Sequence, residues 1–183
     1  MRKKILICGS SGFIGRNLTE HFVQRDDCEV YGTYFKNRPP QHHKFTPIYA
    51  DLRDPIQVDQ VLNSMDVVIQ AAATTSGSED IVNRPYIHVT DNAVMNSLLF
   101  RSAVESEVSH VIFFSCTVMY PSSDKPLKEE DFDAGQPIHP NYFGVGWTKV
   151  YIEKMCEFYA GMGDTKFTAI RHSNIYGPHD KYD

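Results

Sequence analysis

The amino-acid sequence predicts an α/β fold in which one parallel sheet lies between two layers of helices. The first observation is a short apolar run at residues 5–8, which has the length of a buried strand and stops at a glycine-rich turn. The second is the alternation of strand-like runs with helical patterns along the rest of the chain. The third is composition: 183 residues, 42% hydrophobic and 22% charged, suffice for one domain with a sizeable core.

The turn after the first strand carries glycines with two residues between each pair. Apolar residues then follow at helical spacing, which places the turn between a strand and a helix: Phe13, Ile14, Leu18 and Phe22. The unpaired N–H groups and the positive dipole end of such a helix favour an anion. We therefore expect the turn to bind the pyrophosphate of a dinucleotide through Gly9, Ser10, Ser11, Gly12, Phe13, Ile14 and Gly15. The alternative is an ordinary tight turn.

The second strand is predicted at residues 29–34, and in dinucleotide-binding folds the end of this strand meets the adenosine ribose. An acid there would bind the free 2′-hydroxyl and repel a 2′-phosphate, but this chain has Thr33, Lys36 and Arg38 instead. Because Lys and Arg side chains suit a phosphate, the sequence favours NADP over NAD. Alternatively, Lys36 and Arg38 are solvated loop charges.

The remaining sequence continues the alternation of strands and helices. Further strands are predicted at residues 46–50, 66–73, 110–115 and 165–171, and long helices at 81–106 and 141–160. A Pro-rich, acidic connection at residues 121–140 is long enough that we expect it to cover the substrate side. Right-handed crossovers then predict a parallel sheet of strand order 3-2-1-4-5-6.

Charge and composition exclude several classes of function. A net charge of −5 without a basic cluster argues against general nucleic-acid binding. No apolar run reaches the roughly 18 residues that a membrane span needs. The first four residues lead into a strand that is too short for a signal peptide, so we expect a cytoplasmic protein. The four cysteines and eight histidines show no metal-ligand spacing, and we expect no metal site.

Three segments together carry a family resemblance: the glycine turn, FFSCTVMYP at residues 113–121 and RHSNIYGPHD at residues 171–180. They resemble the extended short-chain dehydrogenases/reductases of the NAD-dependent epimerase/dehydratase type. Within that family they are most similar to the GDP-fucose synthases, which epimerise and then reduce a GDP-linked keto-deoxy sugar with NADPH. The resemblance implies a three-layer Rossmann fold, a nicotinamide coenzyme and a nucleotide-sugar substrate, with GDP-linked sugars favoured. It also allows a homodimer that pairs through helices.

The same resemblance assigns binding roles to matching positions. Asp51 and Leu52 would meet the adenine, with the carboxylate accepting a hydrogen bond from the adenine amino group. Asn92 would support the active-site backbone, and Asn174 and His172 would bind the nucleotide sugar. Three small residues would let the end of the fourth strand lie close to the coenzyme: Ala71, Ala72 and Ala73.

The chemistry of the family needs a Tyr, a Lys four residues later on the same helix face, and a Ser or Thr at the end of the fifth strand. Lys149 fits the Lys, but Val145 stands where the Tyr is expected. Valine cannot exchange a proton, so the usual acid/base is missing. Tyr142 is a third candidate for binding the substrate; it lies two helical turns before Lys149 and would reach the site only if the start of the helix bent inward.

The Ser position of the family falls on Cys116, whose thiol is a poor substitute for a hydroxyl. Ser115 or Thr117 would compensate if the end of the strand shifted by one residue. Cys116 could also act as a covalent nucleophile.

We expect residues 1–183 to form a single NAD(P)-binding domain that lacks the smaller C-terminal substrate region of the family. The first hypothesis is an NADP-dependent nucleotide-sugar epimerase/reductase. The second, motivated by Val145, is a binding or regulatory module that senses a dinucleotide without catalysis. A 4-epimerase or dehydratase on the same scaffold is a third possibility.

Overall fold

A computed structural model describes residues 2–74 and 83–180. These residues form six strands and four α-helices in the order β1 (Lys3–Cys8), α1 (Phe13–Phe22), β2 (Cys28–Tyr34), β3 (Phe45–Tyr49), α2 (Pro55–Leu62), β4 (Val67–Gln70), α3 (Pro85–Glu105), β5 (His110–Cys116), α4 (Phe143–Ala160) and β6 (Lys166–His172). Short 3₁₀ turns lie at Thr117–Met119, Glu129–Asp131 and Pro140–Tyr142. The alternation predicted from the sequence is confirmed.

The six strands form one sheet in the order β3-β2-β1-β4-β5-β6, as predicted. Every neighbouring pair is parallel, and β1 pairs with both β2 and β4, so that Ile7 lies beside Gly32 on one side and Ile69 on the other. The strand order reverses between β1 and β4. In open sheets of this type, ligands bind at the carboxyl ends of the strands beside that reversal.

Each face of the sheet has its own apolar core. On one face, α2, α3 and α4 bury Val58, Leu99 and Ile152 against the sheet, together with Leu6 and Val111. On the other face, Leu18 and Phe22 of α1 pack against a smaller cluster that includes Ile5, Ile7 and Val30. This division produces the three layers of a Rossmann fold.

Several element boundaries differ from the sequence-based expectation by a few residues. β4 ends at Gln70 rather than at Ala73, so the run of three alanines lies beyond the end of the strand. α4 begins at Phe143 rather than at residue 141, because the preceding three residues form a 3₁₀ turn that is capped by the ring of His139. Residues 75–82, which include the first residues of the predicted helix 81–106, lie outside the described residues.

The segment after β6 returns to α1. Asn17 Nδ2 donates a 2.8 Å hydrogen bond to the carbonyl of Pro178, and His179 Nε2 lies 2.9 Å from a carboxylate oxygen of Glu20. The last described residues of the RHSNIYGPHD run therefore contact the helix that follows the glycine turn. In the part of the chain that the structure describes, no helix is both long and apolar enough to cross a lipid bilayer.

Candidate functional site

Two of the three turn glycines are required by the fold itself. Gly9 has a φ of +76°, in the left-handed region, and a Cβ there would lie 2.7 Å from the Cα of Ala72. A Cβ at Gly15 would lie 2.1 Å from the carbonyl oxygen of Gly9. These contacts are far too short for any side chain, so the turn packs against Ala72 and against the start of α1 only when both positions are glycine.

Gly12 differs from its two neighbours. A Cβ at this position would meet only the carbonyl oxygen of Gly9, at 3.4 Å, and would otherwise project into open space. Gly12 is exposed and is the N-cap of α1, which has no side-chain cap and no acidic residue in its first turn. The free N–H groups and the positive end of this helix fit a pyrophosphate. A side chain at residue 12 would fill that space.

The glycine turn is held from β2 by Thr33. The backbone N–H and the hydroxyl of Ser10 both donate to the Thr33 carbonyl at 2.9 Å, and the Gly9 N–H donates to the Thr33 hydroxyl at 3.1 Å. Thr33 and Ser10 are almost completely buried. Thr33 therefore lies beneath the turn, whereas Ser11, Phe13 and Ile14 are partly accessible beside Gly12. The structure does not bring the Thr33 side chain to the accessible surface where we expected it to contact the ribose.

The loop after β2 carries the two predicted phosphate-binding cations. Lys36 and Arg38 are both exposed there. Phe35, just before them, is also exposed, and its ring stacks on Tyr49 with the centroids 6.0 Å apart. The end of β2 therefore presents an aromatic surface and two positive charges without an acid.

Arg53 is a residue of this site that the sequence did not indicate. Its guanidinium donates two hydrogen bonds to the carboxylate of Asp51, at 2.8 and 2.9 Å, and a third to Asp91 at 3.1 Å. It also lies over the Phe35 ring, 5.3 Å from the centroid. Arg53 lowers the pKa of Asp51 below its usual value. Leu52 is buried, and Asp51 faces Arg53 rather than open solvent.

The end of β4 is held by hydrogen bonds from α3. Asn92 accepts from the Thr74 N–H at 2.9 Å and donates to the Thr74 carbonyl at 3.1 Å, which agrees with the backbone-supporting role that the resemblance implied. Gln70 is buried, donates to Asn96 and accepts from the Ala72 N–H. These hydrogen bonds fix the backbone of the alanine run. Ala71 and Ala72 are partly exposed, and Ala73 is exposed.

Lys149 lies at the end of β5. Its ammonium group donates a 2.7 Å hydrogen bond to the Phe114 carbonyl and lies 4.6 Å from the centroid of the Phe113 ring. Burial lowers the pKa of Lys149 from its usual value. Val145 is one helical turn before Lys149 and shares its helix face. The ammonium group of Lys149 therefore lies beside β5, and the position one turn before it on the same helix face has no ionisable group.

The three candidates for the sugar-oxygen contact differ in accessibility. Ser115 is completely buried on the face of β5 that packs under α3 and α4, and its hydroxyl has no hydrogen-bond partner among the described residues. Cys116 is partly exposed, and burial raises the pKa of its thiol, an effect that the charge of Lys149 opposes. Thr117 is exposed in the 3₁₀ turn that follows. Cys116 and Thr117 are therefore the accessible members of this set.

A second ion pair that the sequence did not indicate closes the other side of the site. Arg171 of β6 donates to Glu153 of α4 through Nε and Nη2, at 2.8–3.2 Å, and both side chains are largely buried. Its Nη1 donates to the Tyr120 hydroxyl at 2.7 Å and to the Glu129 carbonyl at 2.9 Å. The guanidinium also lies over the rings of Tyr120 and Phe132. Arg171 thereby fastens the 121–140 connection to the sheet.

The three predicted substrate-binding residues lie on different segments. The ring of His172 lies against Phe114, with its Nδ1 atom 2.7 Å from the Ser173 carbonyl oxygen. Asn174 is exposed after β6. Tyr142 is 38% exposed in the 3₁₀ turn before α4, and its ring lies against His139. α4 continues directly from that turn.

Comparison with known proteins gives consistent matches over almost the whole chain. A sequence model of the NAD dependent epimerase/dehydratase family matches residues 5–183. A GDP-L-fucose synthase from Azorhizobium caulinodans is 30% identical over 184 residues, which cover 99% of this chain and 54% of that protein. A UDP-N-acetyl-alpha-D-glucosaminuronate decarboxylase from Bacillus cytotoxicus is 28% identical, and the match covers 99% of this chain and 57% of that protein. The chain spans about half the length of these relatives.

Solved structures share the fold. A GDP-D-glycero-L-gluco-heptose synthase from Campylobacter jejuni, solved in the presence of NADPH, superposes with a TM-score of 0.82 at 22% identity, covering 100% of this chain and 50% of that one. A Bordetella bronchiseptica enzyme solved with NAD⁺ superposes with a TM-score of 0.77 at 22% identity. The match covers 100% of this chain and 60% of that one. At this level of sequence identity, the structural likeness shows a shared fold and nothing about function.

Proposed function

Because this chain belongs to the NAD dependent epimerase/dehydratase family, we propose that it binds NADP and acts on a nucleotide sugar as an epimerase/reductase. The proposed substrate is a GDP-linked keto-deoxy sugar. This choice is supported by the GDP-L-fucose synthases from several organisms among the similar curated proteins.

The observation that carries the coenzyme proposal is the open space at Gly12. The fold requires glycine at residues 9 and 15, but it leaves residue 12 free of close contacts other than the Gly9 carbonyl. A bare position at the N-terminus of α1 lets a pyrophosphate approach the backbone N–H groups. The exposed Lys36 and Arg38, without a nearby acid at the end of β2, support a 2′-phosphate and hence NADP.

The residues around the end of β5 would serve the chemistry. When bound, the coenzyme supplies hydride transfer to or from a sugar carbon. Lys149 is already held by the Phe114 carbonyl and would orient the ribose of the coenzyme. Cys116 or Thr117 would lie beside the reacting sugar oxygen, with Thr117 the better hydrogen-bond donor of the two.

Val145 supports a second candidate function, a module that binds the dinucleotide without turnover. A valine one turn before Lys149 can neither give nor take a proton. Under this alternative the coenzyme site and the nucleotide-sugar site are retained for binding, and occupancy of the coenzyme site changes the affinity of a partner.

The test compares the native protein with Val145→Tyr, using two measurements. NADPH and NADH affinities are measured by fluorescence titration, and NADPH consumption is followed with GDP- and dTDP-linked 4-keto-6-deoxy sugars. We expect tighter binding of NADPH than of NADH, and a gain in turnover of about 10²-fold or more in the tyrosine variant.

Each outcome separates the candidates. No binding of either coenzyme would overturn both functions. Coenzyme binding with no turnover in either protein, on any of the sugars, would contradict the epimerase/reductase and favour the binding module. Val145→Phe serves as the matched control, because it adds the ring of tyrosine without its hydroxyl.

A further inference from the structure

A cleft of about 380 Å³ lies between the connection after β5 and the end of β6. Its walls include Thr117 and Tyr120 after β5, Lys125 and Lys128 in the connection, and Arg171 on β6. This volume is within the range of sites that take small ligands. Of these residues, Thr117 alone has a role in the chemistry proposed above.

The lining of the cleft is positively charged, although the whole chain carries −5. Four charged side chains line it, three cations and the single carboxylate of Glu129, which leaves a net charge of +2. The charge of Arg171 is balanced from behind by Glu153, so the charges that remain on the lining are those of the two lysines and Glu129, a net charge of +1. Within the described residues, Lys125 has no ion-pair partner, and Lys128 has only an exposed contact with Glu130 at 3.8 Å. An exposed pair at that distance contributes little.

The cleft shares a wall with the reacting end of the proposed site. Glu153 lies one helical turn after Lys149 on α4, and it holds the Arg171 that lines the cleft. Thr117 lines the cleft and directly follows Cys116. A ligand whose reacting oxygen lay beside Cys116 and Thr117 would therefore extend its next substituents towards Lys125 and Lys128.

We propose that this cleft is a subsite for an anionic oxygen group of the nucleotide-sugar substrate, bound by Lys125 and Lys128. The inference rests on the proposed function, because it assigns one part of the same substrate. Two sources supply this chemistry: a carboxylate on the sugar, or the diphosphate of the nucleotide. Lysine ammonium groups bind either one as point charges.

The experiment measures the affinities of three probes for the NADP-loaded protein by calorimetry: GDP-mannuronate, GDP-mannose and GDP. The first two differ in a carboxylate against a hydroxymethyl group at one carbon. The test variant is Lys125→Gln/Lys128→Gln. The control variant, Lys44→Gln/Lys154→Gln, removes the same charge from two exposed lysines outside the cleft.

If the sugar carboxylate occupies the subsite, GDP-mannuronate binds more tightly than GDP-mannose by about three- to tenfold, and the test variant removes that difference. If the diphosphate occupies the subsite, the test variant binds all three probes more weakly than the native protein does, by a similar factor. The control variant leaves every affinity unchanged in both cases. Equal affinities of native protein and test variant for all three probes, or no binding of any probe, overturn the subsite.

NADPH titration of the same samples separates this inference from the proposed function. Tight NADPH binding with unchanged sugar-nucleotide affinities removes the subsite and leaves the coenzyme function standing. Absent NADPH binding removes the proposed function, whatever the lysine variants do.

Discussion

The ammonium group of Lys149 donates a 2.7 Å hydrogen bond to the backbone carbonyl of Phe114, which fixes a cation at the end of β5 before any ligand is present. That position is partly buried, and this burial lowers the pKa of the lysine. The interaction therefore preorganises a charge at some cost to the stability of the free protein.

This cost predicts a pH dependence. Because the folded-state pKa of Lys149 is below its unfolded value, the unfolded chain binds more protons between those two values. We therefore expect the unfolding free energy of the native protein, minus that of Lys149→Met, to stay level at lower pH. It should rise as the pH increases from the folded pKa towards 10.5. Urea unfolding of both proteins over this range measures it, and a difference that falls with pH would contradict the assignment.

The glycine turn predicts opposite effects at two neighbouring positions. Gly15→Ala places a Cβ 2.1 Å from the Gly9 carbonyl oxygen, so we expect a loss of about 3 kcal/mol or more, or failure to fold. Gly12→Ala meets no such contact, and its unfolding free energy should change by no more than about 1 kcal/mol. Its NADPH affinity should nevertheless fall at least about tenfold. Thermal unfolding and fluorescence titration test the pair, and a Gly12→Ala protein that binds normally would refute the ligand role of Gly12.

The thiols should react in a defined order. Cys8, Cys28 and Cys156 are buried, and burial raises the pKa of Cys8 and of Cys156 to about 12. Cys116 is partly exposed, with a thiol pKa that burial also raises. We expect the folded protein to react with Ellman's reagent at one thiol, slowly at pH 8, and the denatured protein at all four. Cys116→Ser should abolish the folded-state reaction; a remaining fast thiol would show that another cysteine is accessible.

Breaking the Arg171–Glu153 pair should lower the unfolding free energy far more than breaking an ion pair on the surface. Arg171→Met leaves the Glu153 carboxylate buried without its partner, and we expect a loss of about 3 kcal/mol in unfolding free energy. The exposed pair of Lys154 and Glu157 provides the comparison, and Lys154→Met should cost less than about 0.5 kcal/mol. Chemical denaturation of the two variants measures both effects. Equal losses would mean that burial does not strengthen the inner pair.

The sheet order and the glycine turn could be predicted because each depends on local patterns and on the fixed hand of crossovers. The strand at residues 5–8 and the helical stripe after it can be recognised without knowing what surrounds them. The strand ends were harder to place. β4 leaves the sheet at Gln70, and the hydrogen bonds of that side chain to Asn96 and to the Ala72 N–H have no signature in the local sequence.

The side-chain networks of the site could not be predicted, because they join residues far apart in the chain. Arg53 contacts Asp91 across 38 residues, and Arg171 contacts Tyr120 across 51. Neither pair has a characteristic spacing. Thr33 is instructive in the opposite sense: its position was correctly placed at the end of β2, but only the packing of Ser10 against it reveals a support for the turn.

The unequal roles of the turn glycines predict which of them can be substituted in relatives of this protein. Gly9 and Gly15 are demanded by the contacts of the chain with itself, so a descendant that had abandoned its coenzyme would still retain them. On the proposed role of Gly12, the middle position alone is freed from its constraint when the ligand is lost. Residue 12 is therefore the place where a relative that no longer binds a dinucleotide would first accumulate a side chain.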